Sequence, residues 1–87
     1  MIQWEQESKA LLKAELARAD VNYKVLARKL EAIGVIDTPA ALSSKISRGK
    51  FTFAFFLQCM TALGRPHVVV PLPLTSSRPH VIDEKLN

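Results

Sequence analysis

Cysteine is almost absent from this chain. One thiol, Cys59, cannot close an intramolecular disulfide, which excludes a disulfide-stapled miniprotein and fits a reducing compartment. Glycine is scarce and scattered: Gly34, Gly49 and Gly64 stand alone, so there is no glycine-rich phosphate loop. The two histidines, His67 and His80, make no zinc spacing with one cysteine. The longest apolar run, Val68 to Leu74, is interrupted by Pro71 and Pro73 and is far too short to span a bilayer. The first ten residues, MIQWEQESKA, hold two glutamates and no apolar stretch, unlike a signal peptide. The expectation is a cytoplasmic protein away from the membrane, with no metal and no cofactor. No catalytic site is expected either. Cys59 has no acid or base beside it in sequence, and Ser43, Ser44 and Ser47 have no histidine in their segment.

What is present fits one small domain. The 87 residues are 48% hydrophobic and 23% charged, close to the soluble globular average, with a net charge of +4. A chain this short buries little surface alone, and dimerisation is a common way to bury more.

Residues Gln3 to Ala19 lack Gly and Pro and are rich in Ala, Leu, Glu and Lys, which predicts a first helix with Trp4, Ser8, Leu11, Leu12 and Leu16 on one stripe. Asp20-Val21-Asn22 breaks it, and Asn22 is placed to cap the next. Tyr23, Leu26, Ala27, Leu30 and Ile33 then share the face of a second helix that Gly34 ends, with Lys24, Arg28 and Glu31 opposite. Thr38 followed by Pro39 signals a third helix, running through Ser47 and stopped by Gly49. In it Leu42 and Ile46 face inward, while Ala40, Ser44 and Ser47 face outward beside Ala41, Lys45 and Arg48.

Thr52 can cap a fourth helix from Phe53 to Leu63, closed by Gly64. Phe53, Phe56, Leu57 and Met60 form one apolar stripe and Phe55, Cys59 and Ala62 another, which predicts burial on both sides. After Gly64, residues 65–74 read as an extended arm or short edge strand. Residues 75–87 read as a mobile polar tail. The arm or a second subunit must cover the extra apolar side, so Phe55, Cys59, Val68, Val69 and Val70 are candidate homodimer contacts.

The charge is unevenly distributed. Residues 22–50 carry Lys24, Arg28, Lys29, Lys45, Arg48 and Lys50 against Glu31 and Asp37, a surplus of +4, whereas residues 1–21 sum to −1 and residues 51–87 to +1. A basic surplus on two helices joined by a Gly-containing turn fits a helix-turn-helix that neutralises DNA phosphates. A solvated face of ordinary lysines would carry the same charge.

The strings LLKAEL, YKVLARKL, LSSKISRGKF and FLQCMTALG, over roughly residues 11 to 64, resemble the Cro/repressor-type helix-turn-helix family. More narrowly, Trp4, Glu15-Leu16, Tyr23, Leu26-Ala27, Lys45-Ile46, Arg48-Gly49, Phe51, Gln58 and Ala62-Leu63-Gly64 resemble a group of small bacterial proteins known only as a domain of unknown function. The broader resemblance implies an all-α domain of four to five helices over residues 1–64, acting on double-stranded DNA as a transcriptional regulator. Carried over by position, it implies that Thr38, Ala40, Ala41, Ser44 and Lys45 face the bases. It implies that Asn22, Tyr23, Lys24, Arg48 and Lys50 meet phosphates. Here the segment between Leu26-Ala27 and the third helix is longer than the family's usual one.

The function expected is therefore a sequence-specific DNA-binding regulator, in the first instance a repressor. It would be a homodimer on a two-fold symmetric operator. The alternative is a protein-interaction module, such as an antitoxin or a phage-type inhibitor, that keeps the fold and binds a protein. The apolar fourth helix and arm favour that alternative.

Overall fold

Three helices begin where a side-chain oxygen takes an otherwise unpartnered backbone N–H. Asn22 Oδ1 accepts from the Val25 amide at 2.9 Å, Thr38 Oγ1 from Ala41 at 3.0 Å, and Thr52 Oγ1 from Phe55 at 3.0 Å. The computed structural model describes residues 1–73. Its four helices are α1 (Trp4–Arg18), α2 (Tyr23–Ala32), α3 (Pro39–Arg48) and α4 (Phe53–Ala62). Each lies within a residue or so of its sequence-predicted span.

The helix ends share one device. After α1, α2 and α4 the chain reverses through a residue in the left-handed region, and the next amide reaches back to the last turn: Val21 to Leu16, Val35 to Leu30, Arg65 to Met60. Gly34 and Gly64 hold that conformation in two cases, and Asp20, at φ 55°, holds it in the third. Asp20 thus does more than interrupt α1; it forms the turn that sends the chain into α2.

α3 packs against both α1 and α2, and α2 against α4. Between them lies a core of Leu12, Leu16, Leu26, Leu30, Leu42, Ile46, Phe55, Phe56, Cys59 and Met60. The inward faces predicted for α2 and α3 are found there in Leu26, Leu30, Leu42 and Ile46, while Ile33 is exposed. The α1 stripe differs at its start. Trp4 is 56% exposed and takes no part in the core, which α1 enters through Leu12 and Leu16.

A buried charge stands further along α1. Glu15 is only 1% exposed; Arg18 Nη1 donates to its Oε2, and Arg65 Nε lies 2.9 Å from Oε1. The Arg65 N–H is not aimed squarely at that oxygen, so this second contact is charge attraction rather than a well-formed hydrogen bond. It ties the start of the arm to α1.

The arm itself forms no strand. Among the described residues no β-ladder occurs, and 65–73 form neither helix nor strand, with a bend at Pro66. Pro71 and Pro73 lack amide donors, and no second strand among the described residues is there to pair with. Val68 packs against the core, whereas Val69 and Val70 stay exposed. Leu74, the expected mobile tail 75–87 and His80 lie outside the described residues. No described helix is long and apolar enough to cross a membrane.

Candidate nucleic-acid interface

α3 is held by one face and open on the others. Leu42 and Ile46 are completely buried, Thr38 caps the first turn, and Pro39 supplies a preset φ at the first helical position. Ala40, Ala41, Ser44, Ser47 and Arg48 are all exposed, and Ser43 is half-buried as expected. From Ala40 to Ser47 no exposed side chain on this helix is larger than serine. Such a helix offers its backbone at close range to anything that meets it.

The expected base-facing residues do not all share this surface. Thr38, Ala40, Ala41 and Ser44 are exposed, with the Thr38 oxygen already engaged in the cap. Lys45 requires a correction. Its Nζ lies 3.0 Å from Asp37 Oδ2 and 4.5 Å from the centroid of the Phe55 ring, so it folds back over the core instead of projecting from α3. The carboxylate and the ring face together neutralise and cover the ammonium.

The expected phosphate-facing residues divide similarly. Lys24, Arg48 and Lys50 are exposed. With Arg28 and Lys29, also exposed, they make no ion pair among the described residues. Because Asp37 and Lys45 cancel each other, the basic surplus of residues 22–50 rests on these five cations, with Glu31 the only exposed acid among them. Asn22 spends its oxygen on the α2 cap. Tyr23 is half-buried, packed against the core beside Leu16 and Val21.

Arg48 and Lys50 flank Gly49, whose placement is dictated by α1. Gly49 has φ +67°, and a Cβ there would run into the backbone carbonyl of Glu5. The turn after α3 is therefore pressed onto the first turn of α1, with its two cations directed outward.

Two of the proposed dimer contacts are overturned. Phe55 and Cys59 lie inside the chain's own core, Cys59 with no exposed surface at all, so a second chain could reach neither without opening it. The large apolar α4 side chains left outside are Phe53 and Leu57. Burial pushes the Cys59 thiol up to about 12, with Lys45 nearby pulling partly the other way. It is fully protonated and unreactive at neutral pH.

Sequence reasoning missed three residues. Glu15 had a legible signal, since it falls three residues after Leu12 and four after Leu11, on the apolar stripe itself. Asp37 had none, because its link to Lys45 spans eight residues. Ile36, 76% exposed in the connection just before α3, carried only its own apolarity.

These features define a small all-helical domain that presents a slender helix and a group of unpaired cations. The chain belongs to the family described as Domain of unknown function (DUF6471), which matches residues 4–68. The narrower of the two resemblances therefore holds, and it brings no activity with it. Comparison with curated proteins and with solved structures gave no match.

Proposed function

We propose that this chain is a double-stranded-DNA-binding transcriptional regulator of the Cro/repressor helix-turn-helix kind, a repressor in the simplest case, working in the bacterial cytoplasm. The observation that carries the reading is the exposed side of α3, where Ala40, Ala41, Ser44 and Ser47 leave room for the helix to sit deep in a major groove. Ser44 and Ser47 offer hydroxyls to base edges, the alanines and Ile36 offer apolar contact to thymine methyls, and Thr38 borders them. Lys24, Arg48 and Lys50 supply phosphate contacts, with Arg28 and Lys29 adding to the field.

Selection of bound fragments from random duplex DNA, followed by a salt titration on the winner, tests this directly. The expected result is an enriched motif. Lys24→Ala and Lys50→Ala should weaken all sequences alike, each lowering the salt slope by about 1. Ser44→Ala should instead shift preference at one position, by about 1–3 kcal/mol for a lost base contact. A chain that retains no duplex DNA even at low salt ends the proposal.

A further inference from the structure

The molecule carries a second surface, built from other elements and of other chemistry. Trp4, Phe53, Leu57, Val70 and Leu72 are large apolar side chains, and their exposures run from 46% to 74%. They are not scattered. Trp4, Leu72 and Val70 line one groove with Leu11; Val70 and Leu11 line the next with Phe53 and Phe56; and Phe56 continues into a third with Leu57, Met60 and Val68. Phe53 stacks on Phe56 at 6.0 Å between ring centroids, so the middle of the run is continuous. No α2 or α3 residue lines any of the three grooves.

The five side chains expose roughly 600 Å² per chain, counting a fully exposed large residue at about 150–250 Å². That is at the top of the range for the largest apolar patch of a soluble monomer, about 300–600 Å². Doubled, it reaches the lower bound of a stable interface, about 1,200 Å² in total.

We infer that this face pairs with a second copy of the chain, α4 and the arm of one protomer lying against α4 and the arm of the other. Phe53 and Leu57 are the ridges of the contact, and the groove of about 520 Å³ between α4 and Val68 receives them. This replaces Phe55 and Cys59 as contacts and retains the arm. The inference stands independently of the DNA reading. Its one consequence for that reading is that pairing leaves the α3 surface of both copies uncovered.

Sedimentation of the full chain across the micromolar range tests the pairing. The expected mass is twice the 9.7 kDa of one chain. Leu57→Glu and Val70→Glu should each return it to the single-chain mass with helical circular dichroism unchanged. Val70 lies outside every helix, so its variant decides the matter if Leu57→Glu fails to fold. Ile36→Glu, at an exposed apolar residue outside the face, should leave the pair intact. A wild-type chain that sediments as a monomer throughout overturns the inference. So does a dimer that survives both folded variants, or one that Ile36→Glu dissociates.

Discussion

Lys45 bridges two parts of the molecule: its Nζ is 3.0 Å from Asp37 Oδ2, in the connection before α3, and 4.5 Å from the ring centroid of Phe55 on α4. The pair is partly shielded, with 38% of the lysine side chain and 19% of the aspartate side chain exposed. Its role is to fix α3 against α4, so Lys45→Ala should cost about 1–2 kcal/mol of stability, read as a shift in the urea midpoint. Asp37→Asn has the opposite interest, because it releases the ammonium. If duplex DNA is the ligand, that variant should bind with a salt slope steeper by about 0.9, one additional phosphate's worth.

The Glu15–Arg65 contact predicts an asymmetry. Arg65→Met leaves a buried carboxylate with Arg18 alone and should destabilise the fold by about 2–4 kcal/mol. Adding Glu15→Gln removes the stranded charge and should restore part of that loss. Denaturation of the two single variants and the double variant gives the coupling. Strict additivity would mean that the 2.9 Å approach contributes nothing.

Gly34 and Gly49 both have positive φ, yet their surroundings differ. A Cβ on Gly34 meets open space, so Gly34→Ala should cost only the backbone term of about 1–2 kcal/mol. Gly49→Ala must also push the α3–α4 turn off the Glu5 carbonyl, and should be worse by about 2 kcal/mol more. Equal losses in chemical denaturation would contradict the close approach. At Asp20 the reasoning reverses, and Asp20→Gly should stabilise the chain by about 0.5–1 kcal/mol.

Cys59 gives the fold an alkaline limit. Its thiol is raised from 9.0 to about 12 by burial, so the folded state retains a proton that the unfolded chain has released. The stabilisation this group provides is complete below pH 9.0 and is lost progressively as pH climbs towards about 12. The slope there approaches about 1.4 kcal/mol per pH unit. Cys59→Ala should be less stable at pH 7 because of the smaller side chain, and should show a flatter decline above pH 9.0. Parallel declines would show that the thiol does not titrate differently in the two states.

The sequence by itself determined the helices and their limits. Asn22, Thr38 and Thr52 at the starts, and Gly34, Gly49 and Gly64 at the ends, act on backbone groups within a few residues, so their effect is written locally. The inward faces of α2 and α3 were legible for the same reason, since Leu26 and Leu30, like Leu42 and Ile46, follow the helical repeat. Tertiary structure alone decided how the apolar circumference of α4 is divided. Phe55 and Cys59 went inside and Phe53 and Leu57 stayed out because α2 supplies one wall and no further helix among the described residues supplies the other. It also decided that Lys45 turns back to Asp37 and Phe55, and that Glu15 shares its burial with an arginine fifty residues on. A cap needs only its own turn. A long charged side chain takes whichever partner packing brings within reach, and that partner is set by the path of the whole chain.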